Sequence, residues 1–485
     1  MADFDNKIDN CLRLFQKYLN NTNLEHKDYQ YDGVKWCLIN ELRENPPNGI
    51  RGGFIADEMG LGKTIMMIGT FYSNFMFRTL VIVPPILIDQ WFAQIYKTTG
   101  HKAIIYHGNK KKNITFEDLN KACIVISTYG AVTLSKDQIA QGDISLLHKI
   151  KWGRIVFDEA HHLRNSKTTR FAGAKLLHAN IRWLVSGTPV QNRKKDFYSL
   201  CSMLRVPASY FTDAANLGDL TNNFLIKRTK KQVGIQMPDI IQDKNIVNWN
   251  NSREKNMSAL IHSALNFSRI APIQNNIMDD IGANSKLILM LRAKQSCIYP
   301  KLISKHFNNL VTEGLIQNHS YYKDAFNYSS KLDFVLKTIL ERKDNGCGKL
   351  IFCHFREEIN EIADRLRAGG MTTVATFDGR TNNRKRAAIL ADKFEALIMQ
   401  IQTGCEGLNL QDNYSEIYFV SPHWNPAVEE QAIARCHRIG QTKPVFVERF
   451  EMCKFAEQDS RTIDNYVGQV QLIKRTIADE CIKVN

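Results

Sequence analysis

The chain has 485 residues, more than one hydrophobic core usually organises, so two or more domains are expected. Hydrophobic residues make up 44% and charged residues 23%, which permits sizeable cores, and no apolar run is long enough to span a bilayer, so no membrane partner is expected. Lys plus Arg number 64 against 49 Asp plus Glu; the net charge of +15 suits a polyanion, nucleic acid first, although a solvated basic surface has the same balance.

Met1 to Asn10 is polar and acidic, unlike a secretory signal. The eleven cysteines are scattered, with no Cys-x-x-Cys pair, which argues against zinc and for reduced, buried thiols. Met1 to Leu42 has helical spacing and is broken by Asn45-Pro46-Pro47-Asn48-Gly49. From Gly53 to Leu204, short apolar runs recur: Gly53–Ala56, Leu80–Val83, Cys123–Ile126, Arg154–Phe157 and Trp183–Val185. Such runs, alternating with helical segments, read as a parallel sheet covered on both faces. Val206 to Asn327 is polar and reads as helical, with few strand-like runs. A second alternating stretch follows from Ser330 to Phe450, with predicted strands at Lys349–Cys353, Thr373–Thr376, Leu397–Gln400, Glu416–Val420 and Val445–Val447. The class is α/β, with two such domains in tandem.

Chemistry concentrates at the predicted strand ends. Gly60-Leu61-Gly62-Lys63-Thr64 follows a strand and opens the apolar helix Ile65 to Phe71. Glycines let backbone N–H groups wrap a phosphate, Lys63 would reach the β and γ phosphates, and the Thr64 hydroxyl would ligate magnesium. The general pattern wants glycine where Asp57 stands, and a plain glycine turn before a helix fits the same residues. Asp158-Glu159-Ala160-His161 ends another strand, where ligands bind in open α/β sheets. Asp158 would hold magnesium, and Glu159 would orient or deprotonate the attacking water; a solvated acidic turn is the plainer alternative. Phosphate loop and acidic strand end together make the NTPase reading far more specific than either alone. His161 reads as a polar link between the lobes, and adjacent His161 and His162 do not suit metal ligation. Ser186-Gly187-Thr188-Pro189-Val190-Gln191-Asn192 could couple phosphate state to movement, and the glycine-bearing loop Thr403–Leu410 could approach ATP or a nucleic-acid backbone. In Gln431 to Gln441, Arg435 and Arg438 read as one helix face at i and i+3 that could reach a γ-phosphate, or as solubilising surface residues.

These motifs resemble the SWI/SNF class of superfamily-two helicase-like ATPases from about Asp28 to Phe450. Tyr29-Gln30 with Gly33-Val34-Lys35-Trp36 resembles the adenine-reading segment, with Gln30 as the reader. Asp57-Glu58-Met59-Gly60-Leu61-Gly62-Lys63-Thr64 matches this class's own phosphate loop, so Asp57 becomes a positive sign and all eight residues are expected to bind the nucleotide. Val83-Pro84-Pro85 through Gln90-Trp91 and Ser127-Thr128-Tyr129 resemble DNA-contacting segments. Phe224 to Val233, with Arg228-Thr229-Lys230, and Leu291-Arg292 through Tyr299-Pro300 resemble signatures that simpler RNA helicases lack; Ser330-Lys331-Leu332 and Trp424-Asn425-Pro426 also fit. Cys405-Glu406 and Pro422-His423 depart from the class pattern.

The resemblance implies two tandem RecA-like lobes, with parallel sheets of the P-loop NTPase type and helical insertions between them. The expected boundaries are an N-terminal helical segment with the adenine-reading motif at 1–50, a first lobe at 51–205, helical protrusions at 206–328, a second lobe at 329–455 and a helical tail at 456–485. No bromodomain-, chromodomain- or RING-like appendage is visible, and compact members of the class occur in large DNA viruses. The implied function is ATP hydrolysis with magnesium, catalysed by Lys63, Asp158, Glu159, Arg435 and Arg438. It would drive a monomeric motor along the phosphate backbone of double-stranded DNA, with nucleosomes or the transcription machinery as targets, in the nucleus (the host's, for a viral member). The alternatives are an RNA-directed helicase of the same superfamily and a non-enzymatic DNA-binding scaffold.

Overall fold

A computed structural model of the chain describes residues 2–188, 193–265, 283–314, 320–381, 383–404, 408–456 and 460–481. It divides into two compact units: Met1–Gln236 with Thr476–Asn485, and Met237–Arg475. The boundary falls inside the segment 206–328, so that segment is shared. Among the described residues no helix is long and apolar enough to cross a membrane.

The first unit opens with helices α1 (Ala2–Thr22) and α2 (Asp28–Leu42). Its sheet contains β1 (Arg51–Ile55), β2 (Thr79–Val83), β3 (Ile104–Tyr106), β4 (Ile124–Thr128), β5 (Lys151–Asp158), β6 (His178–Val185) and β7 (Leu225–Ile226). The order is β3-β4-β2-β5-β6-β1-β7, and every pairing is parallel. Helices α3 (Lys63–Ser73) and α4 (Ile88–Thr99) are two of the crossover helices. Alternate strand residues go to opposite cores. Leu80, Ile82, Ile155 and Phe157 pack in one; Val81, Val83, Val156 and Trp183 pack in the other with α1 residues such as Phe15. A strand buried on both faces reads as an unbroken apolar run, which is why these strands were visible in the sequence.

Register sets the level of the strand ends. Ile55 of β1 lies opposite Val185 of β6, and Val185 lies opposite Asp158 of β5. Three strands therefore end side by side.

The second unit has a six-stranded parallel sheet of β8 (Ile240–Val247), β9 (Gly348–Cys353), β10 (Val374–Phe377), β11 (Ala396–Gln400), β12 (Tyr414–Phe419) and β13 (Val445–Met452). Its order is β10-β11-β9-β12-β13-β8. Segment 206–328 is therefore not purely helical, as expected from its polarity; it supplies β7 and β8, one edge strand to each sheet. β8 pairs with β13 over all eight residues, yet most of its side chains face solvent, so it lacks the apolar run of an interior strand.

In the core of the second unit, Lys331 donates Nζ to Asp464 Oδ2 at 2.7 Å, and both side chains are buried. Burial alone would raise the Asp464 carboxyl; Lys331 and the Met452 amide outweigh it and hold the group below its ordinary value. Removing one partner of such a pair strands a charge. Lys331→Met should destabilise this unit by about 3–5 kcal/mol, read by chemical denaturation. A loss under about 1 kcal/mol would mean that the pair is dispensable.

Candidate active site

The phosphate loop leaves β1 alongside the chain that follows β7. Ala56 N donates to Ile226 O and Glu58 N to Arg228 O, each at 2.8 Å. Asp57 is fully buried, and Arg228 grips its carboxylate with Nε to Oδ1 at 3.1 Å and Nη2 to Oδ2 at 2.5 Å. The same guanidinium donates to the Tyr29 carbonyl and lies 5.7 Å from the Tyr29 ring centroid. Space here is tight: a Cβ on Gly33 would stand 2.8 Å from Arg228 Nη2 and 2.6 Å from Met66 Sδ. Glu58 is held by Lys230, whose backbone N donates to Oε2 at 2.8 Å and whose Nζ lies 3.1 Å from Oε1. Both loop carboxylates are thus turned onto cations, and the loop is left to meet an anion with its backbone.

Gly62, at φ +79°, turns the chain into α3. Gln30 donates Nε2 to Leu61 O at 3.1 Å, and a Cβ on Gly62 would stand 2.4 Å from that nitrogen, so glycine is what lets Gln30 lie on the loop. Lys63 donates Nζ to Asp57 O at 2.8 Å and to Glu58 O at 3.3 Å. Thr64 occupies the first turn of α3, where free amides and the helix dipole favour a phosphate. Met59 lies beside Gly187, whose added Cβ would meet Met59 Cγ at 3.1 Å; Gly60 takes φ +93°, and Leu61 is buried.

Asp158 ends β5 in a closed environment. Trp91 Nε1 donates to its Oδ2 at 2.7 Å, Glu159 N to its Oδ1 at 3.0 Å, and the Tyr129 hydroxyl to its carbonyl at 2.7 Å. Burial, then the neighbouring Glu159 charge, pushes the Asp158 carboxyl up to about 7 against the opposing pull of Trp91 and Lys63. Glu159 adopts φ +51°, a left-handed conformation that costs a non-glycine residue about 1–3 kcal/mol and recurs at working sites. Its Oε2 lies 3.3 Å from His161 Nδ1, and that nitrogen is also 3.3 Å from Ser186 Oγ. His161, read from the sequence as a link between lobes, thus ties Glu159 to the end of β6 within the first unit. Of the segment Ser186–Asn192, residues 189–192 lie outside the described residues.

In two segments expected to touch DNA, some of the side chains are turned inward. Trp91, Ser127, Thr128 and Tyr129 are all buried. Ser127 donates to Tyr106 O at 2.8 Å, while Trp91 and Tyr129 pack behind Asp158. Sequence reasoning missed this support because the contacts span 21 to 67 residues.

In the second unit, the helix Pro426–Ile433 stops before Arg435, so Arg435 and Arg438 do not share a helix face. The chain turns from Ala434 to Gly440. Gly440 takes φ +101°, and buried Gln441 donates Nε2 to the carbonyls of Cys436, Gln411 and Tyr414 at 3.2, 3.0 and 3.1 Å, which pins the turn to the chain that enters β12. Arg435 is buried, and Arg438 donates to Asn409 Oδ1. Burial and then Arg435 push the Arg438 guanidinium below its ordinary value. Of the loop Thr403–Leu410, residues 405–407, with Cys405-Glu406, lie outside the described residues.

Residues 29–302 match the SNF2-related domain, more than half of the chain. The chain belongs to the SNF2-related family. Residues 330–440 match the helicase conserved C-terminal domain. The chain is 26% identical to the "Probable global transactivator" of Orgyia pseudotsugata multicapsid polyhedrosis virus, over 93% of this chain and 90% of that protein. It is 27% identical to an uncharacterized ATP-dependent helicase of Mycoplasma pneumoniae, over 95% of this chain and 43% of that protein. It is 28% identical to chromodomain-helicase-DNA-binding protein 6 of Homo sapiens, over 90% of this chain but only 17% of that protein. It therefore spans less than half the length of the second and third of these relatives. A Sulfolobus solfataricus SWI2/SNF2 ATPase core in complex with dsDNA aligns over 94% of this chain and 93% of its own, with 22% identity and a TM-score of 0.38. As an SNF2-family member, the chain is an ATP-hydrolysing, helicase-like motor.

The Asp57–Arg228 pair makes a prediction for that activity. Asp57→Asn keeps the side chain's shape but leaves Arg228 facing a neutral group, which loosens the loop carbonyls that hold Lys63. The KM for ATP should rise about tenfold in steady-state assays. An unchanged KM would remove the pair from nucleotide binding.

Proposed function

We propose that this chain couples ATP hydrolysis to movement along double-stranded DNA, held mainly by its phosphates, and shifts or strips proteins bound there in the regulation of transcription, in the nucleus. The observation that carries the reading is the SNF2-related match over residues 29–302, with the Arg228 and Arg292 segments inside it and Lys63, Thr64, Asp158 and Glu159 all present. The +15 charge supports a polyanionic track, and one relative's name records DNA binding.

In this reading Gln30 reads the adenine, residues Asp57 to Thr64 hold the phosphates, and Lys63 exchanges its loop carbonyls for phosphate oxygens. Thr64 and Asp158 supply hard oxygen donors, and a buried carboxyl raised toward neutrality is one that a divalent cation would return to its charged form; the residues fit magnesium. Bound there, magnesium would polarise the γ-phosphate as a Lewis acid. Glu159, oriented by His161, accepts the proton of the attacking water. Arg435 and Arg438 contribute positive charge to the transition state.

ATP hydrolysis should be stimulated about tenfold or more by duplex DNA, and much less by single-stranded DNA or RNA. Greater stimulation by RNA would favour an RNA-directed helicase, and an unstimulated or absent activity would favour a scaffold. Among variants, Lys63→Ala should abolish turnover. Glu159→Gln should bind ATP normally while kcat falls about a hundredfold or more, and Arg438→Ala should lower kcat with little change in KM. Near-normal kcat in any of the three would remove that residue's role.

A further inference from the structure

One buried carboxylate gathers contacts from the elements that present the nucleotide-binding residues of the first unit. Arg154 of β5 donates Nε to Glu41 Oε1 at 2.6 Å and Nη2 to Oε2 at 2.5 Å, with both side chains fully buried. Trp183 of β6 donates Nε1 to Oε1 at 2.8 Å. Asn74, the residue that caps α3, donates Nδ2 to Oε2 at 2.7 Å, and its carbonyl accepts from Arg154 Nη2 at 2.8 Å. Arg51, the first residue of β1, donates Nη1 to the carbonyls of Glu41 and Arg43 at 2.9 Å each, at the C-terminal end of α2.

Each of these elements has a site residue at its other end. Along α2, Gln30 lies about 16 Å from Glu41, and along α3, Lys63 lies about 16 Å from Asn74. Along β5, Asp158 lies about 13 Å from Arg154, and past the end of β6, Ser186 lies about 10 Å from Trp183. β1 runs from Arg51 directly into the phosphate loop. A buried ion pair is weak evidence for stability, because apolar side chains often hold a core as well. What apolar contact lacks is direction. Four donor groups aimed at two oxygens fix both the rotation and the axial position of α2 against α3, β5 and β6.

We propose that Glu41 is a positioning residue for nucleotide recognition, setting α2 so that Gln30 meets the base while Lys63 meets the phosphates. This rests on the reading of Gln30 as the adenine reader. The test compares kcat/KM for ATP and GTP in the full chain and in two variants, Gln30→Ala and the charge-neutral double variant Glu41→Gln with Arg154→Met, together with thermal unfolding. In the double variant the glutamine can still accept from Trp183, so a folded protein is expected; should it unfold, Trp183→Phe, which removes one donor to Glu41 and leaves the ion pair whole, serves with the same readout.

Gln30→Ala should lose the preference for ATP over GTP. The double variant should unfold cooperatively yet lose the preference about fivefold or more, and adding Gln30→Ala to it should cost little further. A cooperatively folded double variant with its preference intact overturns the positioning role alone. If Gln30→Ala keeps the preference, the base-reading role fails, and the positioning role fails with it.

Discussion

Parallel register is the constraint from which the first unit's site follows. Every strand of the sheet runs the same way, so every C-terminal end lies on one side, and the helices that follow begin there with unpaired N–H groups. Within that side, the pairing of Ile55, Val185 and Asp158 brings the start of the phosphate loop, Ser186 and the acidic end of β5 to one level. β6 separates the other two strands, so the loop and Asp158 stand about 10 Å apart across the sheet. That spacing leaves room for a triphosphate and a cation between them; direct β1–β5 pairing would halve it.

The second requirement is electrostatic. A loop that must accept a polyanion begins here with two carboxylates, an arrangement that would repel phosphate if they faced inward. Arg228 and Lys230 prevent this by engaging Asp57 and Glu58 from the chain beyond β7. Asp57 therefore works through two surfaces: its side chain anchors Arg228, and its carbonyl receives Lys63. This gives a physical reason for an acid where the general phosphate-loop pattern has glycine. The same anchor holds the Tyr29 carbonyl, next to Gln30, so the phosphate and base ends of the site share one guanidinium.

What the sequence made legible follows from burial. Interior strands such as β2 and β5 are apolar on both faces and stood out, as did the phosphate loop and Asp158-Glu159, whose chemistry is local to a few residues. Three of the four edge strands did not: β3 spans three residues, β7 two, and β8 is polar along most of its length; the fourth, β10, is largely buried and was read. Arg435 and Arg438 were read onto a helix because nothing local announces that the chain leaves it after Ile433; Gln441 holds the turn that follows through the distant carbonyls of Gln411 and Tyr414. The support that Trp91 gives the Asp158 carboxylate and Tyr129 its carbonyl was not legible, because Asp158 comes 67 and 29 residues later. Glu41 carried no motif at all; only the convergence of four distant groups reveals it.

The second unit shows how a turn can be held through its main chain. After β12, four consecutive carbonyls are each captured by a different side chain. His354 Nε2 is 3.1 Å from Ser421 O, and Lys294 Nζ donates to Pro422 O at 2.8 Å; Gln471 Nε2 donates to His423 O at 2.6 Å, and Lys474 Nζ to Trp424 O at 2.7 Å. The turn then delivers Asn425 to cap the helix that Pro426 begins. The turn is gripped by its main chain, and the His423 ring adds to the grip: its Nδ1 accepts from Asn425 N at 3.1 Å, and it stacks on His354 at 5.9 Å between centroids. Constraint falls on the groups that do the gripping. Burial pushes Lys294 down to about 8 and His423 down to about 4, so the segment is held at neutral pH by a buried cation that is still mostly charged, beside a histidine kept neutral. Lys294 comes from the Leu291–Pro300 segment that marked the class in the sequence, and this contact gives that signature a structural task within its own unit.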